Sequence, residues 1–281
     1  MKVNIVDSEI RVVHPEARNI NYAKKNRENF LQKFVYSDKN ISKAIKLWSL
    51  ESVLKSMRKS KIKYGILSGL SWQNYNITKL NNEYIKNCLY RYPNKFRAFY
   101  LPNFKNIKQT IQEINNLDKK KYVGVEIYPY VDKKTINDKQ YKSIIKAIKK
   151  NDLFLRIIGR HSHQSKINYP YSYLEFLKKN NNLKTIITAL GGGLTVYSSQ
   201  KEVSKLLKKA YFTTSVSSTM EMIECSSKIN SNNLLFATDY PFNHCFDQKS
   251  VLKEFLKLNI RLNNKNKILG LNALKIFNLK K

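Results

Sequence analysis

The sequence predicts an α/β fold, and within that class a TIM-like (β/α)8 barrel. Short apolar runs with the character of buried strands alternate with segments of helical period through eight rounds. The chain has 281 residues, and eight such units occupy roughly 250 residues in barrels of this type. No glycine-, proline- or serine-rich linker interrupts the sequence. Residues 1–281 are therefore predicted to form a single barrel domain.

The predicted elements alternate along the whole chain. The predicted strands lie at residues 3–9, 64–69, 96–101, 122–129, 153–158, 183–190, 210–215 and 234–238. The predicted helices lie at residues 20–34, 41–48, 49–57, 81–90, 107–117, 138–149, 171–178, 201–207, 219–229, 251–258 and 267–279. An open doubly wound sheet is the competing fold, and it requires a glycine fingerprint at its crevice. Gly191-Gly192-Gly193 lacks the G-x-G-x-x-G spacing, so the barrel is favoured.

The charge of the chain is strongly positive. Its formal net charge is +32, from 52 Lys and Arg against 20 Asp and Glu. Such an excess occurs in proteins that bind nucleic acid or anionic surfaces. Here the lysines are spread over nearly every predicted helix, which favours a solvated lysine surface over a polyanion site. Nucleic acid is therefore not expected as a partner, whereas the field would attract a small anionic substrate.

The sequence also bears on location and redox state. No apolar run approaches the roughly 20 residues of a membrane helix, and the first nine residues lack the layout of a signal peptide. We therefore expect no membrane partner and a cytoplasmic location. Cys88, Cys225 and Cys245 are odd in number and have no metal-ligand spacing, so we expect reduced thiols. A homodimer is left open.

The strongest chemical signal is the segment LLFATDYPF at residues 234–242. Four apolar or small residues indicate a buried strand, Asp239 follows at its end, and Pro241 stops the pairing because proline has no N–H to donate. Acidic side chains at the carboxyl ends of buried strands are typical of catalytic groups in α/β folds. Asp239 is predicted to be a general base that activates water. The alternative is a structural carboxylate that caps the loop at Tyr240.

Three segments resemble the amidohydrolase-related family, which is the amidohydrolase 2 branch of the amidohydrolase superfamily. They are the eighth strand at 235–242, the closing helix at 267–277 with its Gly-x-Asn-Ala pattern, and the sixth strand with its glycine turn at 183–193. The resemblance extends in strand order and spacing over nearly the whole chain. It implies a (β/α)8 barrel and metal-assisted hydrolysis or decarboxylation, with metal ligands at the strand ends.

The ligand positions that the resemblance implies are only partly retained. The first-strand ligands fall on Glu9 and Arg11, the fifth-strand histidine on Ile158, the sixth-strand histidine on Ala189 and the eighth-strand acid on Asp239. A catalytic divalent ion needs about three protein ligands, and a guanidinium, which is always charged, repels a metal. The departures predict a degenerate metal site with no cofactor. The alternative is a single divalent metal such as Zn²⁺.

Further candidates surround Asp239. Glu9 and Arg11 lie on one face of the first strand with Asp7 by the period of two, and they are predicted to be catalytic, with a structural ion pair as the alternative. Arg156 is predicted to face the barrel interior, where it would hold a substrate carboxylate or phosphate, or pair with Glu126.

The predicted substrate-binding residues also include loop positions. Tyr128 would donate its hydroxyl to an oxyanion or pack in the core. Arg160, His161 and His163 follow the fifth strand at the catalytic end, and the two histidines are weighed as replacement metal ligands against ordinary loop residues. His244 lies five residues beyond Asp239 and is a candidate proton donor.

These residues predict a metal-independent hydrolase that acts on a small anionic ester, lactone or amide. Asp239 would be the general base, and Arg11 and Arg156 would orient the substrate and stabilise developing negative charge. Two alternatives stay open. One is a decarboxylase or related lyase of the same family, since Glu9 matches the glutamate variant of the first-strand motif. The other is a non-catalytic barrel that binds a small molecule or a partner.

Overall fold

Eight parallel strands form one sheet in sequence order, and each strand pairs with the next. The structure is a computed structural model that describes residues 3–28, 45–129, 134–159, 170–215, 219–242 and 247–280. Helices alternate with the strands, so the predicted (β/α)8 barrel is confirmed. The strands are β1 Val6–Arg11, β2 Tyr64–Ser68, β3 Phe96–Tyr100, β4 Tyr122–Ile127, β5 Phe154–Ile157, β6 Thr185–Ile187, β7 Ala210–Thr213 and β8 Leu234–Leu235.

The helices pack around the sheet. They are α1 Ile20–Lys25, α2 Leu50–Lys59, α3 Tyr75–Arg91, α4 Ile107–Asn115, α5 Lys142–Lys150, α6 Pro170–Lys179, α7 Lys201–Leu207, α8 Met220–Asn230, α9 Gln248–Lys257, α10 Leu262–Asn266 and α11 Asn272–Ile276. Short 3-10 turns lie at Glu16–Arg18, Ile45–Leu47, Lys139–Tyr141, Leu194–Ser199 and Ser231–Asn233. None of the helices in the described ranges is both long enough and apolar enough to cross a bilayer.

The barrel closes between β1 and the segment that follows β8. Ile10 forms an isolated parallel bridge with Tyr240. The Ser8 N–H donates to the Phe236 carbonyl at 2.9 Å, and the Arg11 N–H donates to the Tyr240 carbonyl at 2.8 Å. We call these contacts between residues 7–11 and 236–240 the closing seam. The paired part of β8 is shorter than the predicted strand, because the chain leaves the ladder before Asp239, whose φ is 54°.

One face assignment in β1 is wrong. The pairing of β1 with β2 shifts register after Asp7, so the period of two is broken within the strand. Glu9 and Arg11 meet at the barrel mouth, as their alternation predicts. Asp7 instead accepts hydrogen bonds from Thr238 and from Gln248 of helix α9.

The barrel is apolar at the end opposite the carboxyl ends of the strands. A cluster that includes Val6, Ile66 and Leu235 is fully buried there. Phe277, which follows α11, packs edge-on against Phe99 and Phe154, with ring centroids 6.3 and 5.9 Å apart. This layer supports the polar groups above it and excludes water from below.

The predicted closing helix at 267–279 is divided. A π-helical turn at Lys267–Leu271 joins α10 to α11. Gly270, predicted to be a weak point, lies in this turn, and a Cβ atom there would come within 2.1 Å of the Asn4 carbonyl oxygen. The glycine therefore permits the backbone of the last helical segment to contact the backbone that precedes β1.

Gly124 in β4 offers a test of the barrel packing. A Cβ atom at this position would lie 2.1 Å from the Phe154 carbonyl oxygen and 2.7 Å from Phe99 Cε1. We expect Gly124→Ala to lower the free energy of unfolding by about 3 kcal/mol, because backbone must move to relieve the overlap. Urea unfolding measures the change. Lys120→Ala, at an exposed position, is the control, and equal midpoints for the two variants would contradict the packing described.

Candidate functional site

The guanidinium of Arg11 lies at the centre of a cluster of carboxylates at the carboxyl end of the barrel. Its Nε donates to Asp239 Oδ1 at 2.7 Å, and its Nη1 donates to Glu126 Oε1 at 2.5 Å. Its Nη2 donates to Glu9 Oε1. The Arg11 side chain is only 3% exposed. Three carboxylates from β1, β4 and the segment after β8 therefore converge on one buried cation.

A second guanidinium lies beneath the first. Arg156 is fully buried and forms an ion pair through Nε with Glu126 Oε2. Its Nη1 donates to the Ser8 carbonyl at 2.8 Å and its Nη2 donates to Ser68 Oγ at 2.7 Å. The guanidinium carbon lies 4.0 Å from the centre of the Phe99 ring, on the apolar layer. Glu126 is thus held between two arginines.

Hydroxyl groups complete the hydrogen bonding of the cluster. The Tyr128 hydroxyl donates to Glu126 Oε1 at 2.7 Å, and Arg11 Nη1 donates to that hydroxyl at 2.7 Å. Thr213, at the end of β7, donates to Glu9 Oε2 at 3.0 Å. Both oxygens of Glu9 and both oxygens of Glu126 therefore accept hydrogen bonds, which offsets the cost of burying their charges.

The cluster contains one more carboxylate than it has guanidinium groups. Burial opposes the charge on Glu126, but Arg11 and Arg156 outweigh it and hold the pKa of this carboxyl below its ordinary value. Burial raises the pKa of Asp239 to about 7; Arg11 opposes the rise, and Glu9 adds to it. Asp239 is therefore the carboxyl that exchanges a proton near neutral pH.

Asp239 is also the carboxylate that reaches solvent. Its side chain is 18% exposed, against 2% for Glu9 and 0% for Glu126. Burial raises the pKa of the neighbouring Tyr128 hydroxyl well above its ordinary value, so this group stays protonated. A ligand that enters the barrel mouth would meet the Asp239 carboxyl before the other two carboxylates.

The structure brings six of the predicted site residues together: Glu9, Arg11, Glu126, Tyr128, Arg156 and Asp239. Arg11 and Arg156 both form the ion pairs that were weighed against substrate binding, and each donates to acceptors of the protein. Direct contact of either arginine with a substrate stays a prediction. The other predicted residues, Arg160, His161, His163 and His244, lie outside the described residues.

Five residues of the site were not predicted: Ser68, Thr213, Asp7, Thr238 and Gln248. Ser68 and Thr213 end buried strands, where polar side chains are uncommon, so their position was a usable signal. Asp7 gave a similar signal but lies before a register shift that single-sequence patterns do not reveal. Gln248 gave none, because its partner Asp7 is 241 residues away.

Cys88 is a free buried thiol and Cys225 a free exposed one, while Cys245 lies outside the described residues. Burial raises the pKa of the Cys88 thiol to about 12, so this cysteine is unreactive at neutral pH. Neither described cysteine contributes to the carboxylate cluster.

The described residues do not fit a divalent metal ion. Within them, no group of three or more His, Cys, Asp or Glu side chains is arranged to hold one. The three carboxylates that converge are held by Arg11, whose fixed positive charge repels a metal. The donor set at the centre of the cluster therefore suits a guanidinium.

Solved structures with the same barrel include several decarboxylases. The chain is similar to 2,6-dihydroxybenzoate decarboxylase from Rhizobium, at 16% identity and a TM-score of 0.74, over 99% of each chain. It is similar to 5-carboxyvanillate decarboxylase from Novosphingobium aromaticivorans, complexed with manganese and 4-hydroxy-3-methoxy-5-nitrobenzoic acid, at 14% identity and a TM-score of 0.76, over 99% of this chain and 96% of that one.

A third similar structure is dihydroxybenzoic acid decarboxylase from Polaromonas, with bound manganese and the inhibitor 2-nitroresorcinol. The identity is 16% and the TM-score 0.78, over 100% of this chain and 98% of that one. No protein-family model and no curated protein matches the chain. At such identities the likeness establishes the fold.

The manganese in two of these structures contradicts the prediction that no cofactor is used. That prediction rested on the loss of histidines at the ends of the fifth and sixth strands. Counting retained ligands at a few positions of one sequence does not account for every nitrogen and oxygen atom that a barrel mouth can offer. The prediction of no cofactor is therefore wrong, and the prediction of a metal-independent hydrolase is not supported.

Glu126 tests the energetics of the cluster. We expect Glu126→Gln to lower the free energy of unfolding by about 3–5 kcal/mol, because it leaves buried guanidinium groups without a charged partner. Glu51→Gln is the matched control. Glu51 pairs with Arg91 at 3.5 Å on the surface, and that change should cost less than about 1 kcal/mol. Equal losses in urea unfolding would show that the buried pairs contribute no more than an exposed one.

Proposed function

We propose that this chain is an enzyme of the amidohydrolase superfamily that acts as a lyase, removing the carboxyl group of a small aromatic acid. The barrel fold and the motifs at the eighth strand and the closing helix support the superfamily. The similar structures are decarboxylases, which favours this reaction over hydrolysis. We also propose that residues 1–281 act as a single barrel domain.

The observation that carries the proposal is the state of Asp239. This carboxyl ends the barrel at β8, is partly exposed to solvent and has a pKa raised to about 7 by burial. A carboxyl that retains its proton near neutral pH is suited to donate it, whereas a general base must be ionised. Asp239 is therefore assigned as the proton donor instead of the base that the hydrolase hypothesis required.

The reaction needs one proton and no redox change. Asp239 donates its proton to the ring carbon that bears the substrate carboxylate. The electron pair of the bond between that carbon and the carboxylate then returns to the ring as carbon dioxide leaves. Asp239, now ionised beside Arg11, regains a proton from solvent. The positive field of the chain favours entry of an anionic acid.

The other residues of the cluster act through Asp239. Arg11 donates to its Oδ1 and stabilises the carboxylate that forms when the proton is given up. Glu9 opposes that charge and keeps the proton on the carboxyl before reaction. Arg156 stays below, where its pairing with Glu126 fixes the position of the layer. No step is routed through a metal ion, because the described residues do not fit one.

Carbon dioxide release from defined acids tests the proposed reaction. We expect purified protein, assayed with and without added manganese, to release carbon dioxide from 2,6-dihydroxybenzoate or 5-carboxyvanillate or a related hydroxybenzoate. Asp239→Asn should reduce kcat/KM at least about 100-fold, because the proton donor is lost. Asp152→Asn is the matched control, since Asp152 is an exposed aspartate with a similar positive φ of 57°.

Two outcomes would contradict the lyase assignment. Cleavage of lactones or aryl esters without carbon dioxide release would favour the hydrolase. Binding of the acids without turnover, measured by calorimetry, would favour a non-catalytic barrel.

The pH dependence of the same assay reports the protonation of Asp239. Because the protonated carboxyl is the active form, kcat/KM should be level below pH 7 and fall about tenfold per pH unit above it. The Asp152→Asn control should keep this profile, and the residual rate of Asp239→Asn should lose the alkaline limb. A rate that rises through pH 7 would identify an ionised base instead. Circular dichroism at each pH checks that the fold persists.

A further inference from the structure

Asp7 is a fully buried carboxylate that does not contact Arg11 in the described structure. Its Oδ1 accepts hydrogen bonds from the Thr238 N–H at 3.1 Å and from the Glu9 N–H at 3.2 Å. Its Oδ2 accepts from the Thr238 hydroxyl at 2.5 Å and from Gln248 Nε2 at 2.7 Å. The carboxylate therefore joins β1, the segment after β8 and the first residue of helix α9.

These contacts hold the backbone on both sides of Asp239. Thr238 precedes Asp239 directly, and its hydroxyl oxygen accepts a hydrogen bond from the Tyr240 N–H at 3.1 Å. Asp239 itself has a φ of 54°, in the left-handed region that non-glycine residues adopt at a cost of about 1–2 kcal/mol. Such a conformation persists only where the surroundings determine it.

We propose that Asp7 is a positioning residue for Asp239, acting through Thr238 and held from the outer helix by Gln248. The inference rests on the proposed function in one respect, namely that Asp239 is the reacting group. The network fixes the direction in which the Asp239 side chain leaves the backbone. It thereby sets the position of the Asp239 carboxyl against both Arg11 and the barrel mouth.

The chemistry at position 7 requires a carboxylate. Four donors point at its two oxygens, and an ionised carboxylate is a side chain that only accepts. An amide would turn its NH₂ group toward donors on one side. Closing the seam alone would not require a charge, since apolar residues stabilise buried positions at least as well. Burial raises the pKa of Asp7 to about 6, which shows that the fold retains this group against a desolvation cost.

Gln248 has the orientation that serves Asp7. Its Nε2 donates to Asp7, while its Oε1 has no hydrogen-bond partner among the described residues. An unpaired buried acceptor has a cost, so the hydrogen bond to Asp7 determines how the amide is placed. This arrangement suggests an exchange of groups: an amide at position 7 facing a carboxylate at position 248 would retain one buried charge and one hydrogen bond.

The exchange gives a direct test. Asp7→Asn should lower kcat by about 10-fold to 100-fold through displacement of Asp239, while KM changes less than about twofold. The double variant Asp7→Asn/Gln248→Glu should recover most of kcat, because the amide introduced at position 7 can donate to the carboxylate introduced at position 248. Gln248→Leu is a milder variant, with one hydrogen bond removed, and should lower kcat a few-fold. Gln140→Leu, at a half-buried position of a 3-10 turn before α5, is the control and should leave kcat unchanged.

A second readout does not depend on turnover. Hydrogen–deuterium exchange of a peptide covering residues 236–242 should become faster in Asp7→Asn and return toward the wild-type rate in the double variant. Peptides from β4 and β5 should keep their rates. If the wild type releases no carbon dioxide but this local exchange pattern is found, the proposed function fails and the positioning role of Asp7 stands.

Two results would overturn the positioning role. In one, kcat and local exchange are unchanged in both Asp7→Asn and Gln248→Leu. In the other, exchange accelerates over the whole chain and the double variant recovers nothing, which would make Asp7 a residue for general stability. If Asp7→Asn does not fold, Gln248→Leu decides by the same two measurements.

Discussion

A buried guanidinium that cannot lose its proton is the constraint on which this barrel depends. Arg11 is almost completely enclosed, and its charge must be balanced by groups that are themselves removed from water. Glu9, Glu126 and Asp239 meet that need from three separate parts of the chain. Once Arg11 is in place, the positions of these carboxylates are fixed, because any displacement leaves a buried charge without a partner.

The excess of one carboxylate turns this structural requirement into chemistry. Two guanidinium groups can neutralise two acids, and the best enclosed, Glu126, is held ionised between both. The remaining charge is relieved most easily at the residue nearest solvent, which is Asp239. The apolar layer around Phe99 and Phe154 strengthens the effect by keeping water away from the lower side. Stability and proton exchange are thus supplied by different layers of one barrel.

The fold was accessible from sequence because each strand and helix is a local pattern. The eight strands were found near their true positions, and the partner of Arg156 was among the two alternatives that alternation allowed. Register was harder: the shift after Asp7 separates it from Glu9 and Arg11, and no propensity marks it. The short paired length of β8 follows from the left-handed turn at Asp239, which depends on contacts made far away in sequence. The cofactor prediction failed because it was a count of residue types, whereas a binding site is a matter of spatial arrangement.

The distance along the chain between the partners bears on how the molecule is made. Arg11 and Glu126 are 115 residues apart, Arg11 and Asp239 are 228 apart, and Asp7 and Gln248 are 241 apart. Contacts of such separation form late, after the local βα units. A nascent chain therefore carries the arginine long before it has the acid that reaches solvent. The proton-exchanging group comes into being only when the last strand joins the first, so no fragment without the closing seam can possess it.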